Sequence, residues 1–190
     1  MKILFIGGTG NISGDCAALL SQQGHEVAIL SRGRTPVPPA YRSLVADRKD
    51  LSAMRTTLRD FAPDVVLNFL GYDLVEVQID YALFQGKVRQ YVFISSATVY
   101  SKPPLQLPIR EDAPLGNAFW EYAQKKLACE QWLLERWDPE RFPVTILRPS
   151  HTYSKRWIPN PLSSSSYTFA ARLEWANLSM CPTRARLRGQ

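Results

Sequence analysis

The sequence is poor in metal-binding and disulfide-forming residues. It contains three cysteines, Cys16, Cys129 and Cys181, at wide spacing. An odd number at such spacing fits neither a disulfide framework nor paired metal ligands. The two histidines, His25 and His151, are too few for a zinc site without unusual help from carboxylates. We therefore expect reduced thiols and no bound metal.

Long apolar runs are absent as well. No stretch approaches the roughly 20 apolar residues that span a bilayer. The N-terminal run ILFI is too short for a signal peptide and has no cleavage site. These absences predict a cytoplasmic protein with no membrane contact. Of the 190 residues, 45% are hydrophobic and 21% are charged, which is the composition of one globular domain.

Excess positive charge is scarce outside the C-terminal stretch. The formal net charge is +6, but residues 151–190 hold six basic side chains and one acidic. A nucleic-acid-binding domain usually combines basic residues with a recognition motif, and we find none. The basicity is therefore interpreted as a property of the tail, and we expect no nucleic-acid partner.

Short apolar, β-branched runs alternate with segments of helical spacing. Such runs are typical of strands buried on both faces of a sheet. The alternation predicts an α/β domain at 1–158 with a doubly wound, parallel, Rossmann-like sheet, followed by an irregular tail at 159–190. The predicted strands are 2–6, 26–30, 43–46, 64–68, 90–95 and 143–148, and the predicted helices are about 11–23, 50–60, 74–86 and 118–137.

A glycine-rich turn follows the first predicted strand, in FIGGTGNISG. Gly7, Gly10 and Ser13 keep the spacing of G-x-x-G-x-x-G, and Gly8, Gly10 and Ser13 equally match G-x-G-x-x-G. Glycines let the backbone approach a pyrophosphate, whose charge then lies at the N-terminus of the next helix. The alternative is a plain turn. The predicted cofactor contacts in this turn are Gly7, Gly10, Asn11, Ile12 and Ser13.

No acidic residue ends the second predicted strand, where NAD-preferring sites usually place one against the ribose hydroxyls. The sequence there is LSRGR, with Arg32 and Arg34. Guanidinium groups suit a 2′-phosphate, so NADP is the favoured cofactor, with NAD as the alternative. Both arginines could also be solvated loop residues. Asp47, after the third predicted strand, is expected to accept a hydrogen bond from the adenine amino group.

Tyr122 and Lys126 lie four residues apart in WEYAQKK, on one face of a predicted helix. A free phenol has a pKa of about 10, too high for a good base at neutral pH. A nearby ammonium favours the phenolate, so we expect Lys126 to lower the pKa of Tyr122. The alternative is a solvated lysine beside a half-buried tyrosine. In FISSATVY, a serine hydroxyl at the end of the fifth predicted strand could stabilise charge on a substrate oxygen.

Together these motifs resemble the extended short-chain dehydrogenase/reductase family, the NAD-dependent epimerase/dehydratase group. The resemblance covers about residues 1–158 and includes LRPSHTY at 147–153. It implies that the catalytic hydroxyl is Ser96 rather than Ser95 or Thr98, and that Lys126 also holds the nicotinamide ribose. It further implies a homodimer that pairs through helices such as the one carrying Tyr122.

The resemblance implies an NAD(P)-dependent oxidoreductase or epimerase acting on a hydroxyl or carbonyl substrate, such as a nucleotide sugar. Ser96, Tyr122 and Lys126 would assist the hydride transfer. One alternative is a nucleotide-binding or regulatory protein without turnover, and another is an RNA-binding relative. Family members continue well beyond this length, so we interpret the serine run and arginine-rich end as a truncated or altered terminus. This interpretation puts turnover in doubt.

Overall fold

The computed structural model describes residues 1–153, and residues 1–150 form one compact unit. The strands are β1 (Lys2–Ile6), β2 (Glu26–Ser31), β3 (Arg42–Val45), β4 (Val65–Asn68), β5 (Gln90–Ile94) and β6 (Val144–Leu147). The helices are α1 (Asn11–Gln22), α2 (Leu51–Thr57), α3 (Leu74–Phe84) and α4 (Glu121–Leu134), with a short 3-10 helix at Ala97–Val99. The sheet is parallel throughout, in the order β3-β2-β1-β4-β5-β6. The predicted doubly wound α/β fold is confirmed, while the predicted tail at 159–190 lies outside the described residues.

Local signals set the first residues of two helices. The Asp50 carboxylate accepts hydrogen bonds from the backbone N–H groups of Ser52 and Ala53, and so caps α2. Asp73 caps α3 by accepting a hydrogen bond from the Glu76 N–H, and the Glu76 carboxylate accepts one from the Asp73 N–H. These caps define where α2 begins after the loop that follows β3, and where α3 begins after the loop that follows β4.

Apolar side chains pack on both faces of the sheet. On one face, Ala17 of α1 is buried against Phe5 and Ile29. On the other face, α2, α3 and α4 pack over a larger cluster. The buried members of that cluster include Leu4, Ile6, Leu30, Met54, Phe61, Val66, Val77, Phe93 and Leu133. The strands are therefore covered on two sides, which explains why their sequences do not alternate.

The strand register brings several loops to one edge of the sheet. Ile6 pairs with both Leu30 and Asn68, and Asn68 pairs with Phe93. The chain segments that follow these residues therefore emerge side by side at the carboxyl edge. Ligands of open α/β sheets bind beyond this edge. Within the described range, no helix is both long and apolar enough to cross a bilayer.

Candidate active site

The glycine turn is shaped by close packing at its first two glycines. Gly7 has a positive φ of 81°, and a Cβ there would overlap the side chain of Leu70. A Cβ on Gly8 would lie 2.7 Å from Ile29. Gly10 differs, because a Cβ there would meet only the Ser13 hydroxyl, at 3.3 Å. The first two positions are therefore explained by packing alone, and the open space lies over Gly10.

The first turn of α1 offers donors that fit a pyrophosphate. Gly10 is its extended N-cap residue, and no side chain caps the helix. The buried Ser13 hydroxyl accepts a hydrogen bond from the Gly10 N–H at 2.9 Å, so that group is already used. The first N–H groups of a helix have no partner within the helix. Asn11 and Ile12 are exposed, and no acidic residue stands in the first turn to repel an anion.

The three residues predicted to contact the adenosine half of the cofactor are exposed. Arg32 and Arg34 follow β2 directly, and Asp47 follows β3. Because β2 and β3 are neighbours in the sheet, these residues emerge from adjacent strand ends. The Asp47 carboxylate accepts a hydrogen bond from the Lys49 N–H at 3.0 Å, which leaves its other oxygen available.

Lys126 is a buried ammonium that points at the carboxyl end of β5. The residue is only 1% exposed. The Nζ atom donates a hydrogen bond to the Ile94 carbonyl at 2.6 Å. Burial lowers the pKa of Lys126 to about 8. An ammonium has three protons, so it can donate to further acceptors such as ribose hydroxyls.

Tyr122 lies beside Lys126, but the expected effect on the pKa of its phenol is wrong. The Lys126 Nζ is 5.9 Å from the centre of the Tyr122 ring. Burial nevertheless raises the pKa of Tyr122, and Tyr72 adds to the rise, while a hydrogen bond from Ser96 opposes it. Loss of solvation disfavours the phenolate, and Lys126 is not among the groups that lower the pKa of Tyr122.

Ser96 is oriented by its neighbour Thr98. The Ser96 oxygen accepts hydrogen bonds from the Thr98 hydroxyl at 3.0 Å and the Thr98 N–H at 3.2 Å. Both lone pairs of the Ser96 oxygen are then occupied, and its own proton remains to be donated. Ser95 is buried, whereas Ser96 is partly exposed, and the Ser95 hydroxyl has no partner among the described residues. Of these two serine hydroxyls, that of Ser96 is the one that lowers the pKa of Tyr122 through a hydrogen bond.

Sequence reasoning missed a buried polar network below this edge. The Asp80 carboxylate oxygen Oδ2 accepts hydrogen bonds from Arg48 at 3.0 Å, Asn68 at 2.6 Å and Tyr91 at 2.7 Å. Arg48 also donates to the Asn68 side-chain oxygen at 3.1 Å. Burial raises the pKa of Asp80, against the opposing effect of Arg48. The network joins β4, α3, β5 and the loop after β3.

One sequence signal could have revealed this network. Helix α3 reads LVEVQIDYALF, with Glu76 and Asp80 four residues apart among apolar residues. Two acids four residues apart on an apolar helix indicate a buried polar partner, because a buried carboxylate without one is costly. Arg48, next to the predicted contact Asp47, provides it: its Nη2 lies 3.0 Å from Asp80 and its Nε 3.9 Å from Glu76.

A second cation joins α4 to the end of β6. The Arg148 guanidinium donates to both carboxylate oxygens of the buried Glu130, with the shortest distance 2.7 Å. It also donates to the Tyr100 hydroxyl at 3.1 Å and to the Glu111 carbonyl at 3.3 Å. These contacts tie the loop between β5 and α4, at Tyr100 and Glu111, to the end of β6.

Fold and site together define a doubly wound α/β protein with a glycine turn, a buried lysine and a paired tyrosine at one sheet edge. A family model described as "NAD dependent epimerase/dehydratase family" matches residues 3–83 and 75–177. The chain therefore belongs to the NAD-dependent epimerase/dehydratase family, and the resemblance seen in its motifs is confirmed.

Curated relatives with sequence similarity carry different names. A UDP-glucose 4-epimerase of Lactobacillus helveticus is 30% identical over 152 residues, which covers 69% of this chain and 46% of that protein. The "Chloroplast stem-loop binding protein of 41 kDa b" of Arabidopsis thaliana is 32% identical over 128 residues, covering 59% and 33%. The chain thus spans less than half of these two relatives.

A solved structure shares the fold over most of the chain. The Bordetella bronchiseptica enzyme WbmG, in complex with NAD, superposes with a TM-score of 0.73 and 21% sequence identity. The superposition covers 92% of this chain and 59% of that enzyme. At this level of identity the likeness supports the fold alone.

Proposed function

We propose that this protein binds a nicotinamide dinucleotide and catalyses an oxidoreduction or epimerisation at a hydroxyl or carbonyl group. The observation that carries the proposal is the cluster of Ser96, Tyr122 and Lys126 at the carboxyl edge of the sheet. The family membership supports the same reaction class. A nucleotide sugar is the proposed substrate class, since a similar protein is named as a UDP-glucose 4-epimerase.

The proposed cofactor lies with its pyrophosphate against the first turn of α1. Its contacts there are the open backbone at Gly10 and the N–H groups of Asn11, Ile12 and Ser13, with Gly7 shaping the turn. Lys126 would donate to the nicotinamide ribose, for which it has protons beyond the one bound to Ile94. When bound, the nicotinamide supplies hydride acceptance or donation.

The protein groups would handle the proton of the substrate hydroxyl. Ser96 donates a hydrogen bond to the reacting oxygen, since its own lone pairs are occupied by Thr98. Tyr122 takes up or returns the hydroxyl proton. Because burial raises the pKa of Tyr122, the phenol needs Lys126 and Ser96 to stabilise its ionised form during the reaction.

NADP is the proposed preferred dinucleotide. Arg32 and Arg34 are exposed next to the end of β2, at the position of the adenosine ribose in this fold. Asp47 would accept a hydrogen bond from the adenine. The WbmG structure contains NAD, so the preference of this protein for NADP over NAD needs a direct binding test. Replacing both arginines by alanine should weaken NADPH binding about tenfold or more, with NADH binding unchanged, because charge-assisted hydrogen bonds contribute about 1.5–3 kcal/mol.

The decisive experiment combines calorimetry with turnover on the 190-residue chain. Tyr122→Phe should retain NADPH binding and lose activity toward UDP-glucose and a panel of aldehydes and ketones. Tyr81→Phe, a phenol that packs on Trp132 away from the site, is the matched control and should retain both. Failure of the wild-type chain to bind either dinucleotide would refute the proposal. Binding without any turnover would instead favour the regulatory alternative.

A second candidate function is binding of a nucleic-acid stem-loop. The name of the Arabidopsis relative, a stem-loop binding protein, favours it. The sequence argues against it, because the basic residues are concentrated at 151–190 rather than across the domain. Gel-shift assays with a stem-loop RNA test it: binding by residues of the domain should survive deletion of 183–190, whereas nonspecific binding by the tail should not.

A further inference from the structure

Tyr72 stands in a loop whose backbone is fixed at three points. The loop runs from the end of β4 to the start of α3. The Asn68 side-chain oxygen accepts a hydrogen bond from the Leu70 N–H at 2.9 Å. The Glu76 carboxylate accepts one from the Tyr72 N–H at 2.7 Å. A Cβ on Gly71 would lie 2.5 Å from the Phe93 ring, so the loop is packed tightly against β5.

Three aromatic rings surround the Lys126 ammonium. The distances from Nζ to the ring centres are 4.7 Å for Phe93, 5.1 Å for Tyr72 and 5.9 Å for Tyr122. The rings of Tyr72 and Tyr122 are 6.3 Å apart, with planes inclined by 48°. A cation on an aromatic face at these distances is attracted to the ring.

Only one of these rings has a largely exposed side chain. Tyr72 is 46% exposed, whereas Phe93 and Lys126 are buried and Tyr122 is half-buried. Tyr72 therefore lies on the solvent side of the ammonium. Among the described residues, the Tyr72 hydroxyl has no hydrogen-bond partner. Hydrogen bonding therefore does not explain the position of this ring.

We propose that Tyr72 is a positioning residue: its ring covers Lys126 on the solvent side and keeps water away from the ammonium. Its consequence for turnover rests on the function proposed above. By excluding water, the ring would strengthen the electrostatic interactions among the ammonium, the phenol and a bound substrate.

The charged and titratable groups around this pair are known from the structure. Tyr122 faces Tyr72 and Ser96 as well as Lys126. The ammonium of Lys126 is further influenced by Cys129, Arg48, Glu76 and Glu130. Burial is the largest influence on the pKa of both Tyr122 and Lys126. Removal of the Tyr72 ring changes this burial and leaves the other neighbours in place.

The test is an NMR titration of Lys126 in the 190-residue chain carrying 13C-labelled lysine, with Lys126→Met used to assign the signal. In wild type we expect a pKa of about 8. In Tyr72→Leu, water reaches the ammonium. Because burial is the largest influence on the pKa of Lys126, the regained solvation should outweigh the lost attraction to the ring, and the pKa should rise by about one unit. Tyr72→Phe keeps the ring and should titrate as wild type. Should Tyr72→Leu fail to fold by circular dichroism, Tyr72→Met makes the same test with a more flexible apolar side chain.

Turnover gives the second readout. Tyr72→Leu should lower kcat about tenfold and shift its pH profile, while Tyr72→Phe should keep both near wild type. An unchanged or lower Lys126 pKa in the variant without the ring overturns the inference, even if wild type is active. An inactive wild type refutes the proposed function instead, and the titration still decides whether Tyr72 covers the ammonium.

Discussion

Replacing Asp80 by alanine should remove much of the stability that the buried network gives the fold. The substitution removes the shared acceptor of hydrogen bonds from Arg48, Asn68 and Tyr91. Arg48 would then keep its charge in the interior, with the nearest remaining carboxylate, that of Glu76, at 3.9 Å. A buried charge left with only this longer contact to a carboxylate is more costly than the lost hydrogen bonds themselves.

The expected loss is about 3–5 kcal/mol, the range for removing one partner of a buried ion pair. Domains of this size are stable by only about 5–15 kcal/mol, so the loss is a large fraction of the total. With a urea m-value of about 2 kcal/mol/M, the unfolding midpoint should fall by about 2 M. Asp60→Ala, which removes an exposed carboxylate, should change the free energy of unfolding by less than about 0.5 kcal/mol.

A double variant tests the physical reason. Arg48→Met combined with Asp80→Leu removes both charges and fills the space with apolar atoms, which is often neutral. It should therefore be more stable than Asp80→Ala alone, as measured by urea unfolding at neutral pH. A loss below about 1 kcal/mol for Asp80→Ala, or a double variant less stable than the single, would contradict the role assigned to this pair.

Three further predictions concern the turn, the ammonium and the α4–β6 contact. Gly8→Ala should lower the free energy of unfolding in urea by about 1–3 kcal/mol, because the added Cβ would overlap a β2 side chain. Gly14→Ala, in open space on α1, should be neutral or stabilise by up to about 1 kcal/mol. Equal effects of the two substitutions would refute this packing argument. The folded pKa of Lys126 is about 8, below its unfolded value, so the folded state binds fewer protons between about pH 8 and pH 10.4. Wild type should therefore gain stability with rising pH relative to Lys126→Met, at up to about 1.4 kcal/mol per pH unit, and parallel urea curves would contradict this. Arg148→Lys keeps the charge but loses the two-pronged contact with Glu130, so thermal unfolding should show a loss of about 1–2 kcal/mol, while an unchanged Tm would argue against the contact.

The fold could be predicted closely because its signals are local. All six predicted strands and four predicted helices are present, and their bounds shift by a few residues. The largest shift is in α4, which begins at Glu121 and ends at Leu134 rather than at 118 and 137. Apolar runs and caps such as Asp50 act within a few residues of the chain, so they can be read without knowing the tertiary contacts.

The site could be predicted only in part, because its energetics depend on burial. The spacing of Tyr122 and Lys126 correctly predicts that they lie together. The direction of the Tyr122 pKa shift depends on burial by residues distant in the sequence, which the spacing does not reveal. Arg48 looked like a loop residue next to Asp47, and only the assembled structure brings it to Asp80. The homodimer, the NADP preference and the cytoplasmic location stay predictions.

The buried network around Asp80 also bears on the order in which the protein folds. Its members come from β4, α3, β5 and the loop after β3, so no short piece of chain can form it. It can close only when these segments have docked, so we expect it to form on the late side of the folding transition state. Damage at Asp80 should therefore shorten the lifetime of the native state while leaving the refolding rate nearly unchanged.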